Sequence, residues 1–204
     1  MSIFGTDPVR SRVRGADLAG LEDAALASLD VPRHALLRAY LAATEARLAA
    51  RRARDDHDRI AARKAGAKAD VKLAKAELGA ARAHTDAVAT EAAGHSVAAA
   101  RADRGLLDRQ IAWLRAEVAA AEAHEDEADA AAWAAEADYE LARARVLVSD
   151  PSRGDVSLPV FVRQAEACHK TLEDARQRFV QRRAQADTLR NAWEHARGAL
   201  PEHV

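Results

Sequence analysis

Apolar residues recur at steps of three and four along most of the chain, the spacing that puts one stripe on one face of a helix. Two ladders are clearest. One runs through Leu107, Ile111, Leu114, Val118, Ala121, Glu125, Ala128, Ala132, Ala135, Tyr139, Ala142 and Val146; the other through Phe161, Ala165, Cys168, Leu172, Ala175, Phe179, Arg182, Ala186, Leu189, Trp193, Ala196 and Leu200. Each holds one charged exception. When the chain folds back about the loop at 149–157, Glu125 and Arg182 fall in one layer, so opposite charges meet where either alone would be costly. In the same register small faces large: Ala128 meets Phe179, Ala135 meets Leu172, Ala121 meets Ala186, Leu114 meets Trp193, and Cys168 lies opposite Tyr139.

A weaker ladder precedes these, from Leu36 through Ala39, Ala43, Ala46, Ala50, Ala53, His57, Ile60, Lys64, Ala67, Val71, Ala74, Leu78, Ala81, Thr85 and Val88 to Ala92. Its start is marked by Asp30 as a helix cap and Pro32 in the first turn, where a missing N–H costs nothing. Its register is one residue out of step with the ladder from Leu107, so the phase must be reset between them. Gly94, His95 and Ser96 are the expected turn, glycine suiting a helix end and serine the next start. The rival is an unbroken helix from 32 to 148. The pattern predicts an all-α fold, an elongated antiparallel three-helix coiled-coil bundle with a short N-terminal helix. Residues 1–30 read as a flexible arm and a short amphipathic helix, residues 31–200 as helices near 32–94, 97–148 and 158–198.

Composition agrees with long helices. Of the 204 residues 49% are hydrophobic, more than half of those alanine, while aromatics are only 4% and charged residues 31%, a balance typical of helical rods and poor in core-filling side chains. The net charge is −1, which gives no global attraction to nucleic acid or membranes, but the charge is segregated. Residues 51–75 carry nine Lys or Arg against four Asp, and 117–140 carry nine Asp or Glu with no Lys or Arg. The basic set Arg51, Arg52, Arg59, Arg63, Lys64, Lys68, Lys72 and Lys75 reads first as a flank for the acidic helix and second as a surface for anionic lipid. It lacks the interleaved aromatics that stack on single-stranded nucleic acid, so nucleic acid is not an expected partner. With one cysteine and no signal-like or membrane-spanning run, the expected location is cytoplasmic or peripheral at a membrane.

No catalytic constellation emerges, and no cofactor or metal is expected. Glu166-Ala-Cys-His169 has the Glu-x-x-His spacing of helical di-iron proteins, but such sites need two copies and two more glutamates. Cys168 reads as a small core residue and His57 as a seam histidine. Interaction features are better supported. Trp113 and Trp133 fall outside their ladder, so a second contact such as another subunit is expected there, and Leu37, Leu41 and Leu48 lie off theirs, to be covered by the 16–29 helix or by a partner.

The Met1-Ser2-Ile3-Phe4 start, followed by a long helical hairpin and a further helix, resembles the phage-shock protein A group of membrane-remodelling proteins, although Asp7-Pro8 interrupts the membrane-inserting helix of that group. Three long antiparallel helices also resemble a BAR module, and the Ala- and Arg-rich hairpin is similar to the stalk proteins of flagellar and type III secretion ATPases. No specific motif selects one of the three. The function expected is a non-enzymatic scaffold or adaptor that binds a protein partner or itself, with peripheral membrane binding or remodelling as the alternative.

Overall fold

The computed structural model describes residues 26–149 and 156–199. They form three long helices that pack against one another, with no strand among the described residues: α1 (Asp30–Ala83), α2 (Ala87–Val148) and α3 (Leu158–Gly198). The arm and most of the short helix expected in 1–30 lie outside the described residues, as does most of the 149–157 loop.

Each helix end has a local cause. At the start of α1, His34 Nδ1 lies 2.8 Å from the Asp30 carbonyl oxygen and Pro32 occupies the first turn. α1 stops at a three-residue turn, His84, Thr85 and Asp86. Thr85 takes a left-handed φ of 55°, its N–H reaches the Arg82 carbonyl at 3.2 Å, and Asp86 Oδ1 accepts the Ala89 N–H at 3.0 Å as the cap of α2. The turn is therefore about ten residues earlier than Gly94 to Ser96, which lie inside α2. A β-branched residue rarely adopts positive φ, so Thr85 gives no turn signal of the kind a glycine gives. The aspartate cap is what decides the position.

The weak first ladder is the one whose positions hold best on α1. Ala43, Ala46, Ala50, Val71 and Ala74 are buried, and Leu36, Ala39, Ala53, His57, Ile60, Lys64, Ala67, Leu78 and Ala81 are half-buried. It fails from Thr85 onward, because Val88 and Ala92 follow the turn and are exposed. On α3 every apolar ladder position from Phe161 to Ala196 is buried or half-buried, and Arg182 alone is exposed.

The helices contribute to two compact units, one drawn from Met1–Leu48 and Ala123–Phe179, the other from Ala49–Glu122 and Val180–Val204. In the first, Phe161 packs with Ala144 and Leu147, while Ala165 and Cys168 pack with Ala134 and Ala137 and are flanked by Leu141 and Leu172. Ala43 and Ala46 pack on Ala128. In the second unit Ala186 is fully buried against Ala116 and Ala120, with Leu189 beside them.

These contacts correct the face assignment on α2. Glu125 and Ala128 of that ladder turn towards α1, and α3 is met by alanines outside it, Ala134, Ala137 and Ala144 in the first unit and Ala116 and Ala120 in the second. For Phe179 and Trp193 the partner found on α2 lies within a few residues of the expected one but outside the ladder. Phe179 meets His124 rather than Ala128, with ring centroids 4.9 Å apart. Trp193 stacks on Trp113 at 5.0 Å and 21°, not on Leu114. Within each unit, partners on α2 run backwards as α1 or α3 is followed forwards.

Candidate functional site

A seven-residue repeat on one flank of α1 organises the surface charge. Tyr40, Arg47, Arg54, Ala61, Lys68, Lys75 and Arg82 follow one another at that spacing, and the first three meet Glu136, Asp129 and Glu122 of α2. In the first unit Tyr40 Oη donates to Glu136 at 3.3 Å and Arg47 pairs with Asp129 at 2.6 Å, with Glu125 at 3.9 Å. In the second, Arg54 donates Nε and Nη2 to Glu122 Oε1 at 3.0 and 2.9 Å, and Lys64 pairs with Asp108 at 2.6 Å. The hydrogen bond to Asp129 holds the Arg47 guanidinium above its ordinary range, and the hydrogen bond from Lys64 holds the Asp108 carboxyl below its own.

The expected Glu125 and Arg182 layer is not the arrangement found. Glu125 is half-buried and lies by Arg47, whereas Arg182 is exposed and donates to Gln185 Oε1 at 3.5 Å. Within the first unit α2 turns Glu125 to α1 rather than to α3. Other acidic residues of α2 reach α3: Glu127 to Arg176 at 3.3 Å, Asp138 to His169 at 3.0 Å, and Glu117 to Arg183 at 3.1 Å.

The basic set does not form one surface. Arg51, Arg52, Arg59, Arg63, Lys68, Lys72 and Lys75 are exposed, and Lys64 is half-buried. Arg59 is held by Asp56 at 3.2 Å. Arg63 and Asp70 border a groove of about 850 Å³ floored by Leu106, Leu107 and Trp193, whereas Lys64, Lys68 and Lys72 lie along a different groove edged by alanines. Helical geometry thus divides a compositionally basic stretch between two flanks of α1.

Of the interface candidates, Trp113 is occupied within the chain. It stacks on Trp193, donates its Nε1–H to Glu117 at 3.1 Å, and Trp193 in turn lies under the Arg197 guanidinium at 5.6 Å. Trp133 is half-buried. The leucines behave differently: Leu37, Leu41 and Leu48 are 58%, 61% and 47% exposed, with Tyr40 beside them. Steps of four and seven place the three on one face of α1, turned away from the seam through Ala43 and Ala46.

Among the described residues no group of three or more His, Cys, Asp or Glu is arranged to hold a metal ion. Cys168 is buried among alanines, and His169 of the Glu-x-x-His motif is engaged by Asp138. No described helix is long and apolar enough to cross a membrane. No family model matches the chain, and comparison with curated proteins and with solved structures finds no match.

Proposed function

We propose that this chain is a non-enzymatic scaffold or adaptor, an antiparallel three-helix coiled coil that works by protein–protein interaction and self-association through the Leu37, Leu41 and Leu48 face. The observation that carries the reading is that face. Three leucines at heptad-compatible spacing expose about half or more of their surface, on a helix whose opposite side already packs on α2 through small residues. Apolar patches of this kind mark contact sites, and a leucine stripe on a straight helix is matched by a second helix.

Sedimentation equilibrium over a wide concentration range tests the proposal. The wild-type chain should self-associate, and the Leu37→Gln, Leu41→Gln, Leu48→Gln triple variant should remain monomeric with unchanged helicity. A wild-type chain that stays monomeric at every concentration removes self-association through this face. The second reading, peripheral binding to anionic membranes, is favoured by the exposed lysines at 68, 72 and 75. Its test is co-sedimentation with anionic vesicles, where binding lost at high salt supports it and absence of binding at low salt removes it.

A further inference from the structure

The paired flank of α1 loses its carboxylates towards the α1–α2 turn. Followed by sevens, Arg47 and Arg54 pair with Asp129 and Glu122, but further on Lys75 and Arg82 share a cleft with Arg101 and Gly94. Lys75, Arg82 and Arg101 border a single cleft of about 510 Å³ within the second unit, and no carboxylate is among its lining residues. Its remaining wall includes Gly79, Gly94 and Val97.

The two glycines sharpen the argument. Each lies inside a helix, where glycine is less favourable than alanine, yet a Cβ at either position would meet nothing within 4 Å. Close packing of α1 on α2 therefore does not demand them. They leave open space in a cleft bordered by Lys75, Arg82 and Arg101.

We infer that this cleft is an anion site for a phosphate group, held by Lys75, Arg82 and Arg101. Three cations of mixed type suit a phosphate, the arginines by directed N–H pairs and the lysine as a mobile point charge. The absence of an aromatic side chain from the lining means that a base or ring attached to the phosphate is not stacked, so the recognised chemistry is the phosphate itself. The inference does not depend on self-association through α1 and stands if the chain is a monomer.

The test uses the full chain and inorganic phosphate as the probe. Thermal unfolding is followed by circular dichroism in phosphate against chloride at matched ionic strength. Phosphate at ten times its dissociation constant should raise the midpoint by about 4 °C, the size expected from ligand linkage in a chain of this length. Arg101→Gln and Lys75→Gln, both at exposed positions, should lose that rise while keeping the midpoint in chloride, because neither side chain is buried. Arg51→Gln, on another part of the flank, should keep it. Flotation with phosphatidylglycerol and phosphatidylcholine vesicles separates the sources. Binding to the first alone, competed by phosphate and lost in Arg101→Gln, identifies a lipid headgroup; a thermal response without vesicle binding identifies a soluble phosphate compound. A wild-type chain with neither response, or responses equal in Arg101→Gln and Arg51→Gln, overturns the site.

Discussion

Phe161→Ala is the most informative single perturbation of the packing. Phe161 is 1% exposed and is the largest fully buried side chain among the described residues. It packs on Ala144 and Leu147, with Leu141, Val156 and Leu158 around it. Its neighbours on α2 include alanine, which cannot swing in to fill a void, so the cavity left by truncation should persist. A buried Phe→Ala change costs about 3–5 kcal/mol when the site cannot collapse. Phe179 makes the comparison: it occupies the same ladder but is only half-buried beside His124, so about half that loss is expected. Urea unfolding followed at 222 nm, with the slopes compared, gives both values. A Phe161→Ala loss under about 1 kcal/mol, or a larger loss for Phe179→Ala than for Phe161→Ala, refutes the packing.

Ala186→Leu should cost about 1–3 kcal/mol by overpacking, since Ala186 is 0% exposed against Ala116 and Ala120; the same denaturant assay reads it, and a neutral result contradicts the contact. Arg47→Ala should cost no more than about 1 kcal/mol despite its 2.6 Å pair, because the arginine side chain is 50% exposed and solvent screens it. Asp108 has its folded pKa lowered, so its contribution is present above the unfolded carboxylate range and is lost as pH falls through the folded value. Wild type should therefore exceed Asp108→Asn by about 0.5 kcal/mol at neutral pH, with the difference vanishing in strong acid. A difference that grows on acidification contradicts the Lys64 pair. Thr85→Gly should stabilise by about 0.5–1 kcal/mol by relieving a left-handed threonine, and a loss of stability there would mean the turn is elsewhere.

Much of the architecture was legible in the chain. The α3 ladder read from Phe161 to Ala196 matches its buried face, and the α1 ladder matches from Leu36 to Ala81, because large residues punctuate each of them. α2 is harder to read, since it is covered on two sides and alanine satisfies both. The stripe with leucine, isoleucine and valine stood out, yet Ala116, Ala120, Ala134, Ala137 and Ala144 form the face that meets α3. Trp113 was the visible clue to that second face, being a large residue outside the first ladder. Its partner proved to be Trp193 of the same chain. The turn was misplaced for a reason of backbone chemistry: Gly94 offers freedom that α2 does not use, whereas Asp86 supplies a cap that α2 does. Among the candidate sites, the exposed leucines of α1 were evident from sequence. The division of the basic residues between two flanks was not, because it needs the phase of α1 against both neighbours.

Cysteine cross-linking tests the two-faced middle helix most directly, using Cys168, the one native cysteine. Cys168 packs with Ala134 and Ala137, so an Ala137→Cys or Ala134→Cys variant should close an intramolecular disulfide under mild oxidation, with loss of both thiols in the monomer. Tyr139→Cys, on the edge that sequence periodicity alone would select, should retain its thiols. Rapid closure from position 139 with none from 134 or 137 would contradict the packing of α2 between α1 and α3 described above.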